Sequence, residues 1–162
     1  MAIQPLRHFP DAILSKTCKA VETFDHRLTE LIEDLWDTLY HSPGVGLAAP
    51  QIGVLLQASV IDIKRSARSK KQIVLINPVL LKGEGLQIPR EGCLSVPDWL
   101  ANVRRFKTVQ VRTQTMDGGE RLIESSGFEA LALQYEIDHL GGKLFIDRVV
   151  DLKTDLFRRK TY

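Results

Sequence analysis

The chain is poor in the features that settle a protein's class at a glance. Only two cysteines, Cys18 and Cys93, occur in 162 residues. That excludes a disulfide framework and leads us to expect a reducing compartment. No apolar run approaches the roughly 20 residues of a membrane-spanning helix. The opening Met1-Ala2-Ile3-Gln4-Pro5 lacks the apolar core and small-residue cleavage site of a secretory signal. A cytoplasmic protein with no membrane partner is expected. Charge of one sign is scarce too: 22 basic against 20 acidic side chains leave +2, too even for a nucleic-acid groove across the fold. Sequence-specific nucleic-acid binding is therefore not expected. Repeats and low-complexity runs are absent as well.

What is present suits one globular domain over residues 1–162. Hydrophobic residues make up 44% and charged residues 26%, and a chain this long buries about two-thirds of its unfolded surface. Two local basic clusters stand out, Lys64-Arg65-Ser66-Ala67-Arg68-Ser69-Lys70-Lys71 and Arg158-Arg159-Lys160. Each reads as solvated surface, the alternative being an RNA-rich neighbour.

Residues 1–23 carry Pro5 and Pro10 among short apolar groups and predict an arm without long regular structure. Cys18, in that arm, reads as a small buried side chain. From Phe24 to Tyr40 apolar residues recur every three or four positions, the mark of a packing helix with Asp25 as N-cap. His26 and His41 at its ends read as solvated. Residues 44–53 then hold three glycines and two alanines, which let backbone come close to something else. This stretch lacks the Lys-Ser/Thr of a phosphate loop, and its one functional side chain is Gln51. Strands are predicted at 58–63 and 72–77, with Pro78 curtailing the second. A hairpin is predicted at 107–124, turning at Asp117-Gly118-Gly119. A last helix is predicted over about 127–140, with Ser126 and Glu129 as capping box and Gly141-Gly142 as stop.

That helix carries Gln134-Tyr135-Glu136-Ile137-Asp138-His139. Residues four apart project from one face, which is how an HExxH helix brings two imidazoles to one metal beside a proton-handling Glu. Here His139 and Glu136 are in place, but Tyr135 holds the first ligand position. Phe128, Leu131, Ala132, Tyr135 and His139 share a face. With Cys93 in a Gly-Cys-Leu turn, the residues alone allow a Cys nucleophile with a His base or a Cys/His metal site. They equally allow a core cysteine and a helix-capping histidine.

Three motifs in order, Gly44-Val45-Gly46-Leu47-Ala48-Ala49-Pro50-Gln51, Glu91-Gly92-Cys93-Leu94-Ser95 and Gln134-Tyr135-Glu136-Ile137-Asp138-His139, closely resemble the signatures of the peptide deformylases. The likeness runs over nearly the whole chain. It implies an α+β fold, with small mixed or antiparallel sheets packed around the central metal-motif helix. It implies an enzyme that removes the formyl group from N-terminal formyl-methionine of nascent chains with a divalent metal, usually Fe2+, which Zn2+, Ni2+ or Co2+ can replace. By that likeness Cys93 and His139 are metal ligands and Glu136 is the general acid/base. Gln51 and the backbone N–H of Leu94 stabilise the oxyanion, and Val45, Gly46, Phe128, Leu131 and Ala132 receive the methionine side chain. The partners implied are formyl-methionyl nascent peptides, with the ribosome approached through the basic C-terminal residues.

The family has a His as third ligand where this chain has Tyr135. A phenol has a reference pKa near about 10, and its oxygen lies roughly 2 Å further from Cα than an imidazole nitrogen, about one metal–ligand bond. Three readings follow. Tyr135 joins Cys93 and His139 as a phenolate ligand; or the chain keeps the pocket without a metal and binds formyl-Met or other N-termini without catalysis; or Tyr135 is a substitution introduced into an ordinary enzyme. The expected function is deformylase-type hydrolysis impaired by Tyr135, with the non-catalytic binder as the alternative.

Overall fold

The computed structural model describes residues 2–63 and 71–160; of the basic run 64–71, only Lys71 lies within them. Helix α1 (His26–Tyr40) starts where Asp25 accepts hydrogen bonds from the backbone N–H groups of Arg27 at 2.9 Å and Leu28 at 3.4 Å. Its Leu28, Ile32, Leu35 and Leu39, spaced by four, three and four, are all buried. The strands in chain order are β1 (Gly46–Ala48), β2 (Ala58–Asp62), β3 (Gln72–Glu84), β4 (Arg90–Cys93), β5 (Val96–Asn102), β6 (Thr108–Gln114), β7 (Glu120–Ser126) and β8 (Leu156–Arg158). Helix α2 (Gly127–Leu140) follows β7.

Five strands form an antiparallel sheet in the order β1-β2-β3-β6-β7, and three form a second in the order β4-β5-β8. The fold is thus mixed α+β with antiparallel sheets. In β6 the inward residues Val109, Val111 and Thr113 alternate with outward ones, as one buried face requires. The β6–β7 hairpin closes as expected, with Gln114 opposite Glu120 and the Thr115 N–H donating to the Gly119 carbonyl at 2.8 Å.

Pro78 does not end its strand. β3 runs on to Glu84, because the missing N–H falls in a bulge where the register against β6 shifts between Ile76 and Val79. At the bulge Asn77 adopts φ 49°, and its side chain accepts from the Val21 N–H and donates to the Val21 carbonyl, both at 2.8 Å. The side chain thereby pins the N-terminal arm. That arm holds only one short 3-10 turn, Ala12–Ser15, and bonds through Arg7 N–H to Gln51 O and Phe9 N–H to Ser95 O, each 2.8 Å.

The capping box expected at the start of α2 does not form. Ser126 makes no side-chain cap. Glu129 instead accepts from the Ser125 hydroxyl at 2.8 Å and pairs with Lys71, since this cation just before β3 reaches it. The stop is as expected: Lys143 N–H donates to the Asp138 carbonyl at 2.9 Å. Gly142 has φ +73°, and a Cβ there would stand 2.8 Å from the backbone of Ser15 and Lys16. Between its ends α2 is buried on more than one side. Ala130 and Leu133 pack with Ile61, Leu75 and Val111 of the large sheet, and Tyr135 packs with Cys93, Val96 and Phe145 beside the small one. Among the described residues no helix is long and apolar enough to cross a membrane.

Candidate active site

The three motifs meet along α2. A Cβ on Gly46 would lie 2.2 Å from Glu136 Oε1, and one on Gly44 would lie 2.8 Å from Leu94 Cδ1. The small residues of the first motif therefore make room for side chains of the other two. Gln51 is buried in the 3-10 turn after β1. Its Oε1 accepts from the Ala48 N–H at 2.9 Å, and its amide donates to Ser95 Oγ at 3.1 Å and reaches Cys93 Sγ at 3.7 Å. A register shift between Gly92 and Cys93 re-aims the cysteine at the end of β4. Its sulfur then accepts from the Ser95 N–H at 3.3 Å and lies 3.5 Å from His139 Nε2.

These groups border a cleft of about 720 Å³. Gln51, Cys93, Leu94, Tyr135 and Glu136 all line it, as do Val45, Gly46, Phe128, Leu131 and Ala132. His139 does not: it is 1% exposed and lies behind its neighbours. Tyr135 sets its ring edge-on to the imidazole, centroids 4.9 Å apart at 76°, and packs with Cys93. The ring thus sits against the cysteine–histidine pair rather than away from it.

Burial dominates the charge states. It pushes the Glu136 carboxyl well above its ordinary range, so the group enters as a neutral acid. Its Oε2 finds no hydrogen-bond partner among the described residues. Burial pulls His139 down to about 4, against the opposing pull of Asp138, and leaves a neutral imidazole whose Nδ1 is likewise without a partner among them. It raises the Tyr135 phenol well above 10, with Cys93 adding to the effect. The Cys93 thiol is raised too, the bonds from Tyr135 and Ser95 only partly offsetting burial.

A buried ion cluster that the motif reading missed holds these elements together. Arg105, just before β6, is 4% exposed. It grips Glu91 of β4 with two bonds, Nε to Oε1 at 2.7 Å and Nη2 to Oε2 at 2.9 Å. Its Nη1 donates to Asp138 Oδ2 at 2.5 Å, and Arg148 also pairs with Asp138. Two cations thus meet two carboxylates, one on the strand carrying Cys93 and one on the helix carrying His139. The sequence signal is an acid inside each of the second and third motifs, Glu91 and Asp138. Arg159, read as part of a solvated tail, is exposed as expected, and its side chain also lines the cleft beside Gly92, which the motif reading missed.

The polypeptide deformylase family model matches residues 3–155. A peptide deformylase of Syntrophobacter fumaroxidans is 44% identical over 160 residues, covering 99% of this chain and 94% of that protein. One from Bartonella henselae is 44% identical over 161 residues, covering 99% and 92%. The crystal structure of a peptide deformylase from Legionella pneumophila superposes with a TM-score of 0.88 at 46% identity, covering 94% of this chain and 89% of that one. The chain belongs to the peptide deformylase family. Its members are hydrolases that remove the N-terminal formyl group.

The family implies a divalent metal, and the donors here do not make up a site for it. A four-coordinate ion with bonds of about 2.3 Å to sulfur and about 2.0 Å to nitrogen sets those atoms about 3.5 Å apart. The Cys93–His139 pair shows that spacing, which an S–H···N hydrogen bond shares. Catalytic ions take three protein ligands, and the third position holds a phenol that burial keeps neutral, packed beside Cys93. The second imidazole nitrogen of a metal-bound His usually donates to a carboxylate or carbonyl, and His139 Nδ1 has no such partner among the described residues. Among those residues no group of three or more His, Cys, Asp and Glu side chains is placed to hold an ion.

Replacing Arg105 with Met leaves Glu91 buried without its guanidinium, and such unpaired buried charge costs about 3–5 kcal/mol. Urea unfolding of the two proteins measures this, and a loss below about 1 kcal/mol would show the cluster to be unimportant.

The pH dependence of stability follows from Glu136 and His139. Unfolding lets Glu136 lose a proton it holds when folded, so its contribution falls as pH rises above the carboxylate range. His139 works the other way. Between its folded value of about 4 and its ordinary 6.5 the unfolded state binds the extra proton, so its own contribution rises with pH across that window. At about 1.36 kcal/mol per unit His139 alone would gain about 3 kcal/mol, and above the carboxylate range Glu136 opposes that rise. Glu136→Gln removes the opposing contribution and should steepen the rise of stability with pH up to 6.5. Unfolding midpoints from pH 4 to 6.5 decide it; the same pH slope in both proteins would rule out this role of Glu136.

Proposed function

We propose that the cleft receives the formyl-methionine end of nascent peptides and that the chain hydrolyses the formamide to release formate, at a rate held down by Tyr135. The observation supporting this is the convergence on one cleft of the polar side chains of Gln51, Cys93 and Glu136, of Leu94 with its backbone N–H, and of five apolar or small residues suited to a thioether side chain. In this reading methionine packs against Val45, Gly46, Phe128, Leu131 and Ala132. The tetrahedral intermediate of a formamide needs two donors, and the Gln51 amide and the Leu94 N–H take that part. Gln51 does so by exchanging its bond to Ser95. Glu136, protonated before reaction, is the acid for the departing amine.

What the residues fail to supply is the nucleophile. A three-ligand catalytic metal lowers its water's pKa from about 15.7 to about 7, worth about 12 kcal/mol at about 1.36 per unit. A neutral Glu136 offers nothing comparable. The neutral phenol on Cys93 favours a second reading, in which formylated N-termini are bound and left intact.

Tyr135→His tests both. The variant is expected to bind close to one equivalent of Fe2+, with Zn2+, Ni2+ or Co2+ able to replace it. It should release formate from formyl-Met peptides at least about 100-fold faster than the unmodified chain, the equivalent of about 3 kcal/mol. Absence of ion binding by the variant would sink the metal-ligand roles of Cys93 and His139. Full turnover by the unmodified chain would sink the role given to Tyr135.

Within the basic C-terminal residues, Arg158 and Lys160 are exposed and are the side chains through which ribosomal phosphates would be met. Salt-sensitive co-sedimentation with ribosomes should weaken in Arg158→Gln/Lys160→Gln; unaltered co-sedimentation would remove the ribosome as a partner of this surface.

A further inference from the structure

The cleft has a charged side that no step above uses. β8 brings Arg159 back to the site: its N–H donates to the Asp98 carbonyl at 2.8 Å, and its guanidinium lies across Gly92, with Nη2 2.6 Å from where a Cβ would stand. Gly92 directly precedes Cys93, so this cation sits beside the proposed reacting end. Arg90, also lining the cleft, is fixed by stacking over the Phe157 ring of the same strand, 4.1 Å from its centroid. The carboxylates along the cleft do not neutralise the pair. Glu91 is taken up by both forks of Arg105, and Glu136 is buried against Gly46. Neither arginine has a carboxylate partner among the described residues. Two positive groups thus line the cleft beside Gly92 with no carboxylate to neutralise them among the described residues.

We propose that Arg159 and Arg90 form an anion-binding rim, so that the chain selects N-formyl peptides with a carboxylate side chain within the first few residues after methionine. The proposal rests on the reading of the cleft as the formyl-methionine site. An extended chain advances about 3.3 Å per residue, so a side chain two or three residues past the formyl group comes within reach of the Arg159 guanidinium beside Gly92 and of Arg90 on Phe157. Partly exposed pairs are worth little each, and the expected preference is accordingly modest, about 5-fold.

The test is binding of formyl-Met-Ala-Ala-amide and formyl-Met-Asp-Asp-amide to the full chain by calorimetry, a measurement that needs no turnover. The acidic peptide is expected to bind about 5-fold tighter at low salt, with the ratio falling toward one at about 0.5 M salt. In Arg159→Gln the ratio should fall toward one at low salt, and Arg159→Lys should restore part of it. A purely structural Arg159 would weaken both peptides together and leave the ratio and its salt dependence as they were, which overturns the proposal. Equal affinity for the two peptides in the unmodified chain overturns it as well, while leaving the cleft as a formyl-peptide site. Failure of both peptides to bind overturns the site reading and the rim together.

Discussion

The grip of Arg105 on Glu91 and Asp138 is the constraint on which the site depends. The two carboxylates belong to different parts of the fold, one to a strand of the small sheet and the other to the helix packed on the large sheet. Hydrophobic contact alone would let those bodies slide, because apolar packing has little directionality. A buried guanidinium bonded to two carboxylates tolerates no such slip, since displacement would leave charge desolvated and unpaired. Cys93 lies two residues from Glu91, and His139 directly follows Asp138. The 3.5 Å spacing of their donor atoms is therefore set by a charge cluster outside the cleft.

Tyr135 occupies a place built to narrow tolerance. Glycine at 46 admits Glu136, the Gly92–Cys93 bulge aims the sulfur, and the ion cluster fixes the distance to His139. Into that setting the chain puts a phenol that burial keeps neutral, packed beside the cysteine and edge-on to the imidazole. The family scaffold is intact around it, as the TM-score of 0.88 to the Legionella structure attests. The groups gathered there are a thiol, an imidazole and a phenol.

Much of this was legible from residue order because it is governed locally. The Asp25 cap and the spacing of Leu28, Ile32, Leu35 and Leu39 placed α1, and alternation with Asp117-Gly118-Gly119 placed the β6–β7 hairpin. Signals failed where distant groups competed. Ser126 and Glu129 carry a capping box by spacing, yet Lys71 and Ser125 claim the glutamate. Pro78 reads as a strand breaker, yet a bulge absorbs it and Asn77 uses the opening to hold Val21. The small sheet left no periodic trace, being short strands whose third member comes from the end of the chain.

By itself the sequence determined the family, the helix that carries Glu136 and His139, and the chemical identity of every group in the cleft, since these rest on residue type and local spacing. Only the tertiary structure decided that Tyr135 turns inward to Cys93, that Arg105 ties Glu91 to Asp138, and that Arg159 also lines the cleft. Each of these joins groups far apart in sequence. The free energy that selects them comes from excluding water around charges and a phenol, which no local pattern encodes.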